Sequence, residues 1–240
     1  MKTYGGTNNG IHHPCYQNLE DSITDTLADY QIHPTTHDEI NLPEDVLRYT
    51  LSNYEIIKAQ TQQIQSNKRV WWQFTAQDHP PFSNPGVIDR PGVDARILPW
   101  LAWMDRVDGI FYPNITDWDV NPWETPFTNG VSNGDGFLFY PPKDATLGFD
   151  PCTADSNRLI PSIRLELLRE GLEDYAYLQL LAGNSPTVGV QNPSDPFVKT
   201  LAGSETAFNR IPTANKEVRL NIASLIIQNI QEIYLPLVLR

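Results

Sequence analysis

Arg69–Thr75 reads RVWWQFT and Val93–Tyr112 reads VDARILPWLAWMDRVDGIFY, and these two stretches decide the fold class. The first is aromatic and β-branched with no breaker inside, the composition of a strand. The second opens as an amphipathic helix from Val93 to about Arg106, kinked or started late by Pro99. It closes on Gly109–Tyr112, GIFY, a second strand. A proline-rich loop, His79–Pro91, lies between the first strand and the helix. Strands joined through a helix run parallel, so the pattern predicts an α/β fold.

The same alternation extends in both directions. Lys2–Thr7 and Asp29–His33 read as strands, with a polar helix candidate at Leu19–Ala28 between them. A helix follows over Glu44–Gln65, with Leu47, Leu51, Tyr54, Ile57 and Ile64 mostly on one face. After GIFY comes a long loop rich in Trp, Asn, Asp and Pro, then Phe137–Tyr140 as a short strand. Ser162–Ala182 is the strongest helix, opened by Pro161 and carrying Leu165, Leu168, Leu172, Tyr175, Leu178 and Leu181 at helical spacing. Gly183–Ser194 reads as loop and Lys216–Tyr234 as a last helix. This makes about four strand–helix units plus a C-terminal helix, where a closed barrel needs eight units.

The 240 residues are 40% hydrophobic and 10% aromatic, enough for a packed core. A net charge of -12 and a pI near 4.7 argue against nucleic acid and anionic membranes as partners. No run reaches the ~18 apolar residues of a membrane helix, and MKTYGGTNNG lacks a secretory apolar stretch. These features leave the compartment open. Cys15 and Cys152 have no CxxC spacing and read as two reduced thiols or one disulfide. His12, His13, His33, His37 and His79 show no metal-ligand spacing, so no metal is expected. No phosphate loop, dinucleotide fingerprint or GxSxG elbow occurs, and no cofactor is expected.

Three segments carry a family resemblance: Val70-Trp71-Trp72; Arg96–Tyr112, RILPWLAWMDRVDGIFY; and GDGFLFYPP at Gly134 leading to PSIRLELLREGLEDYAYLQLL, ending at Leu181. In this order and spacing they resemble the glycoside hydrolase family 123-like catalytic domain. The match is close over 65–182 and loose over 1–64, with 183–240 read as a loop and helix on the same domain. The resemblance implies the C-terminal half of a (β/α)8 TIM-type barrel acting on β-linked N-acetylhexosamine glycans, notably of N-acetylgalactosamine. It implies a substrate-assisted mechanism, outside the usual two-carboxylate scheme. In that mechanism an Asp orients the sugar's acetamido group and the adjacent Glu protonates the leaving oxygen. By strand order that Asp-Glu pair falls ahead of Met1, so the missing N-terminal half of the barrel is an expected partner. Asp38-Glu39 is the low-ranking candidate within the chain, set one or two strands too late and equally readable as a solvated loop. A non-catalytic carbohydrate-binding remnant, or a fragment of an incomplete gene model, is the alternative reading.

Sugar sites use aromatic faces for ring C–H groups and planar polar groups for hydroxyls, and barrel sites lie at the C-terminal strand ends. His33, Trp72, Arg96, Tyr112, Trp118, Asp135 and Tyr140 are the candidate substrate-binding residues on that ground. Trp123 shares the loop of Trp118, and the pair reads either as a substrate wall or as loop packing. Arg96 reads either as reaching into the site or as pairing with a carboxylate such as Asp89. Asp135, between two glycines, reads either as a turn residue or as a ligand. Arg164, Glu166, Arg169, Glu173 and Asp174 read as structural residues on an outer helix, with Arg169 and Glu173 paired four apart. Family members often carry Trp after the GIFY tyrosine; here Pro113 stands there, moving any platform toward Trp118.

Overall fold

The computed structural model describes residues 2–6, 32–35, 46–64, 68–76, 78–112, 115–117, 121–128, 132–141, 159–183, 186–187 and 189–238. Five parallel strands form the main sheet: β1 (Lys2–Gly6), β2 (Ile32–Thr35), β3 (Val46–Thr50), β4 (Arg69–Gln73) and β5 (Gly109–Tyr112). Among the described residues five helices accompany them: α1 (Leu51–Ile64), α2 (Val93–Asp105), α3 (Ile163–Ala182), α4 (Asp195–Leu201) and α5 (Pro212–Val238). The α/β class read from the sequence is therefore present.

The strand order is β2-β1-β5-β4-β3. A half-barrel in simple succession would run β1 to β5. Instead β5, flanked on one side by β4, takes β1 on the other, with Lys2 opposite Gly109 and Gly5 opposite Tyr112. Pairing with β1 satisfies backbone groups that would otherwise be left on an open edge of β5. The order stays consecutive if read as a circle, opened between β2 and β3.

The stretch Glu44–Gln65 is not one helix. Val46–Thr50 (VLRYT) pairs with all five residues of β4, and the helix begins only at Leu51. Valine, tyrosine and threonine suit a pleated strand, and the long-range pairing outweighs the local helical spacing. Phe139–Tyr140 (β8) forms a two-stranded antiparallel pair with Ile160–Pro161 (β9), outside the main sheet. The loop before it contains another such pair, Phe127–Thr128 (β6) with Ser132–Asn133 (β7). The short helix α4 lay unread in the sequence, inside a polar stretch with Pro196 in its first turn.

α2 runs unbroken through Pro99, as its apolar surface requires: Ile97, Leu98, Trp100, Leu101, Ala102 and Trp103 are all fully buried. α3 starts where Ser162 Oγ accepts from Leu165 N at 3.2 Å and ends on Gly183 in the left-handed region. Gly171 lets α3 meet α2 backbone to side chain, because a Cβ there would collide with the Arg96 carbonyl and the Pro99 ring. Asp174, fully buried, joins three helices. It accepts from Arg96 Nε at 2.9 Å, Trp100 Nε1 at 3.1 Å and Arg219 of α5.

A second buried ionic group ties α1 and α2 to the segment after α4. Lys58 pairs with Asp105 and, at 2.9 Å, with Glu205; both carboxylates are nearly inaccessible. Burial, reinforced by Glu205, pushes the Asp105 carboxyl up to about 8. Burial also acts on Glu205, but hydrogen bonds from its own backbone and from Lys58 hold it below its usual value. One proton on Asp105 thus leaves Lys58 and Glu205 balanced. Unfolding returns Asp105 to an ordinary value of 3.8, so the native state keeps a proton that the unfolded chain gives up. This contribution is fully present below about pH 4 and is lost as pH rises to about 8. We expect the melting temperature to fall across that window, and Asp105→Asn to flatten the fall in a thermal-melt series.

Candidate functional site

Side chains alternate along a strand, so adjacent residues face opposite sides of the sheet. Val70 and Trp72 of β4, with Phe74 just beyond it, join Ile110 and Tyr112 of β5 in the core formed with the helices. Trp71, Phe111 and Val46 form a separate cluster on the other face. Trp71 lies over Gly109, which it faces in register and whose lack of a Cβ makes room for the indole. Arg48, opposite Trp71 in register, places its guanidinium 4.6 Å from the Phe111 ring centroid.

This parity corrects the expectation for Trp72. It is fully buried, packed edge to face on Tyr54 with centroids 5.3 Å apart, and offers no face to a ligand. Arg96 is corrected likewise: its guanidinium is bidentate on Asp174, while Asp89 instead accepts from Asn133 Nδ2. The structural role of Arg96 stands, with a different partner. His33 sits on β2 opposite Tyr4. Trp118, Asp38, Glu39, Cys15, Cys152, His12, His13 and His37, along with the helix candidate Leu19–Ala28, lie outside the described residues. Among the described residues no group of His, Cys, Asp or Glu is arranged to hold a metal, and no helix is long and apolar enough to cross a membrane.

Tyr112, Asp135 and Tyr140 do come together, around a residue read only as part of an outer helix. Arg164, at the start of α3, is 6% exposed. Its Nη1 donates to the carbonyls of Gly86 and Gly134, the latter at 3.0 Å, and its Nη2 donates to that of Phe137 at 2.6 Å. It also bonds the Tyr140 hydroxyl. One guanidinium thus gathers the loop after β4 and the loop after β5 onto the start of α3. A planar fork of five donors suits such multiple capture, and lysine would not reproduce it.

Tyr112 closes the same cluster from the C-terminal end of β5. Its hydroxyl accepts from Gly136 N at 3.0 Å and donates to Asp135. Burial, with Asp135 beside it, pushes this phenol well up. The ring passes Gly86, where a Cβ would come within 2.7 Å of the hydroxyl. Gly134 and Gly136 both have positive φ, 82° and 87°, so the turn around Asp135 depends on glycine at these places. Burial lifts the Asp135 carboxyl, against the hydrogen bonds from Gly136 and Tyr112. Asp78 secures the loop's other end by accepting from Ser52 N, Ser52 Oγ and Thr75 N at 3.2, 2.9 and 3.1 Å.

Beside the clasp stands an aromatic pair. Trp123 and Tyr140 have ring centroids 4.3 Å apart and planes 32° from parallel. Tyr140 rests edge-on against buried Phe137 at 5.1 Å. The site is therefore a set of loops beyond the C-terminal strand ends, with aromatic rings, carboxyls and amides on a fixed frame.

The sequence model described as "Glycoside hydrolase 123, catalytic domain" matches residues 12–181, well over half of the chain. The chain belongs to the glycoside hydrolase 123 catalytic-domain family. The match ends with the SIRLELLREGLEDYAYLQLL segment and also takes in most of the first 64 residues, where the resemblance was loose. Among solved structures the chain is similar to a family 123 glycoside hydrolase from Clostridium perfringens, analysed for glycolipid glycan hydrolysis. The TM-score is 0.51 at 15% identity, over 98% of this chain and 42% of that one. The chain thus spans less than half the length of that enzyme. No curated protein sequence matches.

Arg164 could have been suspected from its place: a basic residue in the first turn of a helix opposes the helix dipole and needs another reason to be there. Replacing it with Met leaves carbonyls of Gly86, Gly134 and Phe137 without their donor. We expect Arg164→Met to cost about 3 kcal/mol in urea unfolding, and Arg164→Lys to recover only part of it. Faster proteolysis within 121–141 should accompany the loss.

Proposed function

We propose that this chain is part of a glycoside hydrolase-like barrel that handles N-acetylhexosamine-containing glycans, of the N-acetylgalactosamine type. The family match over 12–181 carries the reading. The consecutive circular order of parallel strands, open between β2 and β3, supports a portion of a (β/α)8 barrel. In this proposal segments 1–64, 65–182 and 183–240 belong to one domain, and further strand–helix units, the other half of the barrel, are its partner.

The chemistry proposed is substrate-assisted. The acetamido oxygen of the sugar attacks the anomeric carbon while a carboxylic acid delivers its proton to the leaving oxygen. The one Asp-Glu dipeptide in the sequence is Asp38-Glu39. Neither Asp135, bound to Tyr112 and Gly136, nor Asp78, held by Ser52 and Thr75, is free to act as that acid. The engagement of these carboxyls favours a second reading, a chain that binds glycan without turning it over. Tyr140 and Asp135, gathered by Arg164, are the proposed ligand-side residues, Tyr112 holds Asp135 from the core side, and His33 and Trp118 are further candidates.

The test is calorimetry with N-acetylgalactosamine and with galactosamine, together with an aryl β-N-acetylgalactosaminide assay. Binding of the acetylated sugar alone, without turnover, is expected of the chain by itself. Binding of neither sugar would reject the glycan reading. Turnover abolished by Glu39→Gln would assign the acid to Asp38-Glu39.

A further inference from the structure

Trp123 stands out among the tryptophans of the described residues. Trp71, Trp72, Trp100 and Trp103 are at least 96% buried, whereas Trp123 is 38% exposed. Its position is nevertheless fixed on several sides. Its Nε1 donates to the Pro141 carbonyl at 2.8 Å and its backbone N–H to Asn121 Oδ1 at 3.1 Å. One side of the indole lies against Tyr140, itself held by Phe137 and Arg164. The pair therefore has little rotamer freedom left to lose on binding. Four residues on in the chain, strand β6 carries Phe127, 51% exposed and paired in register with Asn133, whose amide meets Asp89.

We propose that Trp123 and Tyr140 form a sugar-binding subsite, in which a pyranose ring of the glycan stacks its C–H face on the indole of Trp123. A pyranose has an apolar face rimmed by hydroxyls. A preorganised aromatic surface edged by the Asn121 side-chain amide and the Tyr140 hydroxyl complements both parts. The buried indoles show that the fold has room for tryptophan in its core, so an indole that is half open yet held by hydrogen bonds is suited to contact. The subsite rests on the glycan reading above and adds to it a residue that carries the contact. Trp123 acts through its ring surface; its N–H is already committed to Pro141 and leaves hydrogen bonding to the rim.

The experiment is calorimetry of the full chain with N-acetylgalactosamine and with a β-linked oligosaccharide containing it. Trp123→Ala and Trp123→Phe are compared with the parent, and thermal melts of each variant establish folding. Trp123→Ala should bind the oligosaccharide about tenfold more weakly, with Trp123→Phe in between. Equal affinity of parent and a folded Trp123→Ala would overturn the subsite while leaving the glycan reading intact. Failure of the parent to bind either sugar would overturn both. If Trp123→Ala does not fold, Trp123→Phe decides the matter: unchanged oligosaccharide affinity sinks the subsite, and weaker affinity at an unchanged melting temperature supports it.

Discussion

A carboxylate with no access to water must be met by positive charge and hydrogen bonds, and Asp174 meets that demand from three directions. Its partners come from α2 and α5, and it sits a little past the middle of α3. The helix layer over β4 and β5 is thereby tied together at a single side chain. That layer covers Trp72, Val70 and Ile110, so the outer face of the sheet takes its shape from it. The loops at the site depend on the same arrangement at one remove, since Arg164 is carried on α3, the helix that Asp174 anchors.

Much of this frame was legible in local sequence. RVWWQFT, GIFY and the helices around Trp100 and Leu172 form where their patterns place them, because each pattern matches one structural period. Two kinds of feature were not legible. The first is parity: β4 carries apolar residues on both faces, so its sequence alone does not say which of Trp71 and Trp72 meets the helices. The second is long-range pairing. VLRYT becomes a strand because β4 offers it a ladder, and Arg96 finds Asp174 some 78 residues away.

The candidate site was partly readable for the same reasons. Tyr112, Asp135 and Tyr140 lie near strand ends or glycine turns, positions with recognisable local signatures, and they converge. What brings them together was only hinted at, by a basic residue in the first turn of a helix. Its acceptors are backbone carbonyls, which any residue can provide, so their identity was not readable. Trp123 was visible as an aromatic in a polar loop, but its stacking on Tyr140 depends on a fold that brings residues 17 positions apart together.

Gly171 has a mechanical consequence. With the Arg96 carbonyl and the Pro99 ring pressed where its side chain would be, α2 and α3 cross at this point with no room for even a methyl group. Any larger residue at position 171 would have to push the two helices apart and with them the Arg96–Asp174 pair that spans the same crossing. The position of the loops that Arg164 gathers is therefore set in part by a single missing methyl group on the helix that carries it.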